Sequence, residues 1–381
     1  MIEILPVFIS SCLLTFFSHV ISRRNPITNE YQFREKFFFY LAALLMALFS
    51  GLRVRYNDTG TYVETYIYLI KDYGSLFENV GGGTINWLAL GENPGFIFVQ
   101  NILKHIGFSK QSFLLFFSVI TVMVIMWFLN KYSYSLFFSV YLLFTLGLYI
   151  FTMAAIKQSF AIAVGLIALD QLFKGKKLKF VVALLFGSLF HPYILMFLVA
   201  LFFTYKPWTK PTYLTIGVFV VFGFSFQLLL KTIVDITTIL GESYDVQELS
   251  GRGINVLRVI VYLVPILLSW YLRKEIAEDA DNRIMHLFIN MSILNGLLMF
   301  LALFGNAIYF ARLADYFTLF SIISIPYLIS RFRKETSIYI TLMAFVLYFI
   351  FFWYDCVYGG LDSFDNLFDR ITLEQYFTNN I

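Results

Sequence analysis

Charge is what this chain has least of. Only 14% of its 381 residues are Asp, Glu, Lys or Arg, while 59% are hydrophobic and 20% aromatic. Soluble domains are about a quarter charged. So thin a polar coat cannot keep this much Phe and Leu in water, which excludes an ordinary soluble domain. The formal net charge of +4 is too small to point to nucleic acid. Cysteine is almost absent: Cys12 lies in the first apolar run and Cys356 follows the last. That pair supplies neither a disulfide framework nor a zinc site. A basic leader is missing as well. Glu3 precedes the first apolar run and Arg23 and Arg24 follow it, the order of a retained helix with its N-terminus outside rather than of a cleaved signal. Long polar stretches are lacking, so function must lie in the membrane or in its loops.

What is present is a succession of apolar runs near the length, about 20 residues, that spans a bilayer as a helix. They occupy about 4–21, 37–52, 111–129, 134–151, 156–173, 212–230, 255–272, 285–304, 311–330 and 337–354. The stretch 179–205 reads as a broken short-helix pair, because Pro192 interrupts it after His191. Two crossings there put the basic clusters Arg23–Lys36, Lys174–Lys179, Lys206–Lys210, Arg273–Arg283 and Arg331–Lys334 on one side, as cytoplasmic loops require. The expectation is an all-α polytopic integral membrane protein, a single transmembrane domain over 1–381 with about 12 transmembrane helices and both termini outside. Its external parts would be a large loop at 53–110 containing an interfacial helix from Pro94 to Phe108, a second loop at 231–254, and an acidic tail at 355–381. No internal repeat is evident.

In this topology the informative polar residues gather at the outer ends of the helices. Arg53, Arg55 and Asp58 follow the second helix; Lys157 and Gln158 open the fifth; His191 sits at the break; Arg252 and Arg258 close the second loop; Asn306, Arg312 and Asp315 flank the eleventh helix. A cation in the apolar region costs at least about 2.5–3.5 kcal/mol. Several cations at one depth, on the side where cations are disfavoured, point to an anionic ligand such as phosphate or pyrophosphate. Bland roles compete: Arg53 and Arg55 snorkelling to headgroups, Arg312 and Asp315 pairing along one helix, His191 packing at the break. Lys157, after an apolar stretch, is hardest to explain so. Asp279-Ala-Asp281 resembles a metal-binding acidic pair but sits among Glu275 and Glu278, as a solvated loop does. Gly81-Gly82-Gly83 lacks the Lys and Ser or Thr of a P-loop. No His/Cys cluster has metal spacing, so no metal ion and no cofactor is expected.

Gly51-Leu-Arg-Val-Arg-Tyr-Asn-Asp-Thr-Gly-Thr-Tyr62, then Glu92-Asn-Pro-Gly-Phe96, Ile156-Lys-Gln-Ser-Phe-Ala161, Phe190-His191 and Ala311-Arg-Leu-Ala-Asp-Tyr-Phe317 resemble, in this order and spacing, the EpsG and Wzy-type polysaccharide polymerase family over about residues 35–330. The chain departs from it at Lys157-Gln158, where the family usually has Arg-Gln; the charge is kept and the bidentate fork is lost. The resemblance implies a metal-independent membrane glycosyltransferase in the bacterial cytoplasmic (inner) membrane. It would join undecaprenyl-pyrophosphate-linked repeat units into O-antigen, capsule or exopolysaccharide at the external face. Its partners would be those lipid-linked glycans, membrane lipid and a chain-length regulator protein, with no nucleic acid. Arg53, Arg312 and Lys157 would stabilise the departing pyrophosphate, with Arg55, Gln158, Arg252 and Arg258 binding substrate and His191 or Asp58 as base. The competing readings are a flippase for the same lipids, another lipid-linked glycan transferase or ligase, and a membrane acyltransferase. A flippase would place cations along a mid-membrane path between repeats, and an acyltransferase would use a deeper His.

Overall fold

In an apolar run that meets no water, each backbone N–H and C=O must be satisfied within the segment, and a helix does this. The computed structural model describes residues 3–21, 33–68, 93–239, 253–279, 282–358 and 365–366. Its helices are α1 (Ile4–Ile21), α2 (Phe33–Gly51), α3 (Thr59–Tyr68), α4 (Pro94–His105), α5 (Lys110–Tyr132), α6 (Leu136–Thr145), α7 (Leu148–Ala154), α8 (Ile156–Phe173), α9 (Lys177–Ser188), a 3₁₀ helix (Pro192–Leu201), α10 (Lys210–Ile239), α11 (Val256–Tyr271), α12 (Arg273–Glu278), α13 (Arg283–Leu301), α14 (Ala307–Ser330) and α15 (Lys334–Tyr358). Two short strands, β1 (Arg53–Arg55) and β2 (Asp365–Asn366), pair antiparallel.

Among the described residues six helices are long and apolar enough to cross a membrane: α1, α5, α8, α13 and most of α14 and α15. The bent pair α6–α7 makes a seventh if it is one span. Shorter apolar helices cover Lys36–Gly51, Pro192–Leu201, Lys210–Phe226 and Val256–Tyr271. The protein is therefore an all-α polytopic membrane protein.

Three local features differ from, or sharpen, the expectation. The run 134–151 is two helices bent by 53°, because Gly147 takes a left-handed φ of 77° that a glycine reaches without strain. The pair at 179–205 breaks where Pro192 stands: α9 ends at Ser188, the His191 amide still reaches the Gly187 carbonyl, and Pro192 opens the 3₁₀ helix. Helix α10 continues to Ile239, into the segment expected as the second external loop; most of the rest of that loop, Gly81–Gly83 and all of the tail beyond Tyr358 except Asp365–Asn366 lie outside the described residues.

The framework divides into two compact units. The first contains the described residues of Met1–Lys131, Leu136–Phe197 and Trp353–Ile381. Within it α1 packs on α2 and α6, and α8 on α9. The close approach of the 3₁₀ segment to α8 needs Gly165, where a Cβ would lie 2.5 Å from Ile194 and 2.9 Å from Phe197. Asp170, 2% exposed, anchors the C-terminal ends of α5 and α8 by ion pairs to Lys131 at 2.5 Å and Lys174 at 2.6 Å.

The second unit, Tyr132–Ser135 with Leu198–Phe352, is built on α13, which packs against α14, α11 and α10. Buried Asn295 ties α13 to α14, donating to the Ala314 carbonyl at 2.6 Å and accepting from Ser321 at 2.8 Å. Asn290 holds the carbonyls of Phe203 and Tyr205 at 2.9 and 2.8 Å. Asp279 accepts from the Tyr327 hydroxyl at 2.8 Å and from Arg331 at 2.7 Å, so this acidic residue is tied to the end of α14.

Candidate functional site

The site begins where α2 stops. Gly51 passes so close to α5 that a Cβ there would stand 2.8 Å from the Cα of Leu115. Gln111 fixes the exit by donating to the carbonyls of Gly51 at 2.6 Å and Arg53 at 3.2 Å. The chain then runs extended through β1, where Arg55 is exposed and Arg53 turns inward. Arg53 is fully buried. Its Nε donates to Thr59 Oγ1 at 3.0 Å, and its Nη1 to the Ser50 carbonyl at 2.5 Å and to Ser118 Oγ at 3.3 Å. The Ser50 carbonyl belongs to the last turn of α2, the negative end of the helix dipole, which favours a cation there. Nη2 has no hydrogen-bond partner. Burial pushes the Arg53 guanidinium down to about 10, which still leaves it charged at neutral pH.

Helix α3 carries this cation's surroundings to the next one. Thr59 binds Arg53, and Tyr62, one turn on, faces Lys157. The Lys157 ammonium stands 5.9 Å from the Tyr62 ring centroid and 5.3 Å from that of Phe96. Lys157 lies in the first turn of α8, the positive end of the helix, where a cation is disfavoured. The two ring faces offset part of that cost. The next residue, Gln158, is buried, and its Nε2 lies 3.1 Å from His191 Nε2. Gln158 Oε1 has no partner.

An aromatic column holds these pieces in register. Phe96 meets Phe117 at 5.0 Å, Phe117 meets Phe160 at 5.1 Å, and Phe160 meets Phe190 at 4.5 Å, all centroid to centroid. The column runs from the start of α4 through α5 and α8 to the residue before His191. Gly95 closes it: its amide donates to the Leu189 carbonyl at 2.8 Å, and a Cβ there would be 2.8 Å from that of Leu189. The segment expected to lie at the interface is thus a helix whose Gly95, Phe96, Gln100, Asn101 and Leu103 are buried within the first unit, while Ile102 and Ile106 stay exposed.

The first unit therefore brings together Arg53, Lys157, Gln158 and His191, with Asp58 half-buried after β1 and Arg55 exposed. In the second unit Arg258 is half-buried in the first turn of α11, and Arg312 is exposed on α14, one turn before the half-buried Asp315. Arg252 lies outside the described residues. Sequence reasoning passed over Asn93 and Gln100. Among the described residues Asn93 Oδ1 and both amide atoms of Gln100 are buried without partners. Among the described residues no three His, Cys, Asp or Glu side chains are placed to hold a metal ion.

No curated protein and no solved structure matches the chain. The model of the EpsG family matches residues 36–366, from the first turn of α2 to the end of β2, and the chain belongs to the EpsG family.

Proposed function

We propose that this EpsG-family protein polymerises lipid-linked oligosaccharide repeat units into a surface polysaccharide at the outer face of the bacterial cytoplasmic membrane. The observation that carries the reading is Lys157: a cation at the positive end of α8, held between two aromatic rings, next in sequence to the residue that contacts His191.

In the proposed reaction the growing glycan is linked to undecaprenyl pyrophosphate and a single lipid-linked unit is the acceptor. The acceptor hydroxyl oxygen attacks the anomeric carbon of the donor. The new glycosidic C–O bond forms as the bond to pyrophosphate breaks, and undecaprenyl pyrophosphate leaves with the electron pair. The hydroxyl proton passes to a base, His191 or Asp58. Pyrophosphate is a stable leaving group, so positioned positive charge matters most. Lys157 supplies it directly. Arg53 supplies it from a fixed seat at the end of α2, with Nη2 as its remaining donor. Arg55 takes a further phosphate contact in this reading, and Gln158 keeps the His191 ring in place. In this reading the basic loops lie inside and these residues on the external side. A flippase for the same lipids would also need cations, but a base paired to an amide beside the cation favours transfer over transport. The assay is incubation of the purified protein in nanodiscs with lipid-linked repeat units from the producing strain. A ladder of lengthened glycans with release of undecaprenyl pyrophosphate is expected; translocation without lengthening would favour the flippase.

A further inference from the structure

Helix α4 has a buried polar feature that the reading above does not use. Gln100 is fully buried, and among the described residues neither its amide nitrogen nor its amide oxygen meets a partner. Asn93, which precedes the helix in a left-handed conformation, does not cap it, and its Oδ1 is buried and unpartnered too. Residues 96, 100 and 103 share one helical face, so the orphan amide of Gln100 lies one turn from Phe96, whose ring faces the Lys157 ammonium. Leaving a carboxamide buried and unpaired is costly. Packing alone would favour Met or Leu at position 100, since the neighbouring buried side chains of α4 include Phe96 and Leu103.

We propose that Gln100 reads the hydroxyls of the sugar attached to the lipid pyrophosphate, and that Phe96 and Lys157 join this sugar subsite to the phosphate subsite. The inference rests on the polymerase reading and names the part of the substrate that α4 recognises. A carboxamide offers two donors and an acceptor, the complement of a sugar hydroxyl pair. Such a group also rejects ligands that lack the hydroxyl, because it is then left unpaired. An apolar side chain would hold the lipid phosphate equally well and ignore the sugar.

The test is Gln100→Met, which keeps the length and apolar bulk of the side chain and removes its polar atoms. Thermal unfolding of the detergent-solubilised protein is followed alone, with undecaprenyl pyrophosphate, and with lipid-linked repeat units. A ligand that binds the folded state raises the unfolding temperature by an amount that grows with the logarithm of its concentration over its Kd. The variant alone is expected to be as stable as wild type or more so, because an unpaired amide has been removed. Its affinity for undecaprenyl pyrophosphate should be unchanged, while that for the glycosylated lipid falls about tenfold, the loss of one or two hydrogen bonds. A variant that is itself destabilised, or that loses affinity for both lipids alike, makes Gln100 a structural residue and overturns the proposal. Unchanged affinity for both lipids also overturns it. Failure of the wild-type protein to bind either lipid removes the polymerase reading together with this one, whereas wild-type binding with an indifferent variant removes this inference alone.

Discussion

Gln158 Nε2 lies 3.1 Å from His191 Nε2, so one residue at the start of α8 fixes the imidazole at the break after α9. With the amide nitrogen as donor, the ring nitrogen must accept, and the ring proton sits on the other nitrogen. In that arrangement neither ring nitrogen is free to take a proton, so His191 serves as base only with the Gln158 amide turned, its oxygen accepting Nε2–H and Nδ1 left free. Gln158→Leu should therefore lower the polymerisation rate about tenfold or more while the protein remains folded, because misplacement of a catalytic group is costly even when the group is retained. Rates and unfolding temperatures of matched preparations check this. An unchanged rate would detach His191 from the chemistry.

Arg53 yields a prediction about pH. Burial pushes its guanidinium down to about 10, so across pH 6 to 9 the wild-type residue stays charged. A lysine starts lower, at about 10.4, and the same burial moves it further down, toward neutrality. Arg53→Lys should then lose activity as pH rises from 6 to 9, because the neutral form gains population upward. The wild type should show no such decline from this residue. Initial rates across that interval test the idea; parallel profiles would mean that the charge of Arg53 is not used and that its bonds to Thr59, Ser50 and Ser118 are its whole role.

The helices were legible because an apolar run of spanning length has few alternatives to a helix, and Pro192 announced the break beside His191. The bend at Gly147 was not, because α6 and α7 are equally apolar and only a backbone angle separates them. For Arg53 the sequence suggested a cation facing a ligand. Its burial depends on three small hydroxyl residues, one of which, Ser118, is contributed by α5. Lys157 stood out as a charge within an apolar stretch, but its ring partners Tyr62 and Phe96 come from distant helices. Gln100 gave no signal in the sequence; only packing shows that it faces inward.

Gly95 tests the seating of α4. A methyl group there would meet Leu189 Cβ at 2.8 Å and the Leu189 carbonyl oxygen at 3.1 Å. Part of that contact is backbone, so α4 must shift. Gly95→Ala should cost about 1–3 kcal/mol, as overpacking usually does, and should lower activity, because the same contact sets the chain two residues before His191. Thermal unfolding and polymerisation are the measurements. A variant as stable and active as wild type would show that α4 tolerates displacement.

The twelve-crossing reading predicts Lys176 inside and Glu242 outside. Lys176 precedes α9, and Glu242 lies outside the described residues. Cysteines introduced at the two positions can be challenged with an impermeant maleimide in cells whose outer barrier has been opened. Position 242 should label and position 176 should not. The reverse pattern would move the Arg53–Lys157 end of the first unit to the cytoplasmic side and remove the proposed external reaction.

Lys157 separates charge from geometry. Its ammonium is held over Phe96 and Tyr62 at the first turn of α8, a place where the helix dipole opposes it. If it meets pyrophosphate as a point charge, Lys157→Arg keeps substantial activity, since the cation and its ring contacts are preserved. Lys157→Gln removes a charge-assisted contact worth about 1.5–3 kcal/mol. That corresponds to roughly a ten- to hundredfold fall in rate where the contact is made mainly in the transition state. A lysine that merely snorkels to lipid phosphate predicts something different: Lys157→Gln then costs little, because an exposed headgroup contact contributes little. Turnover of lipid-linked repeat units in nanodiscs, with protein amounts matched, distinguishes the two. Near-normal turnover by the Gln variant removes Lys157 from the site and takes with it the strongest reason for placing an anion there.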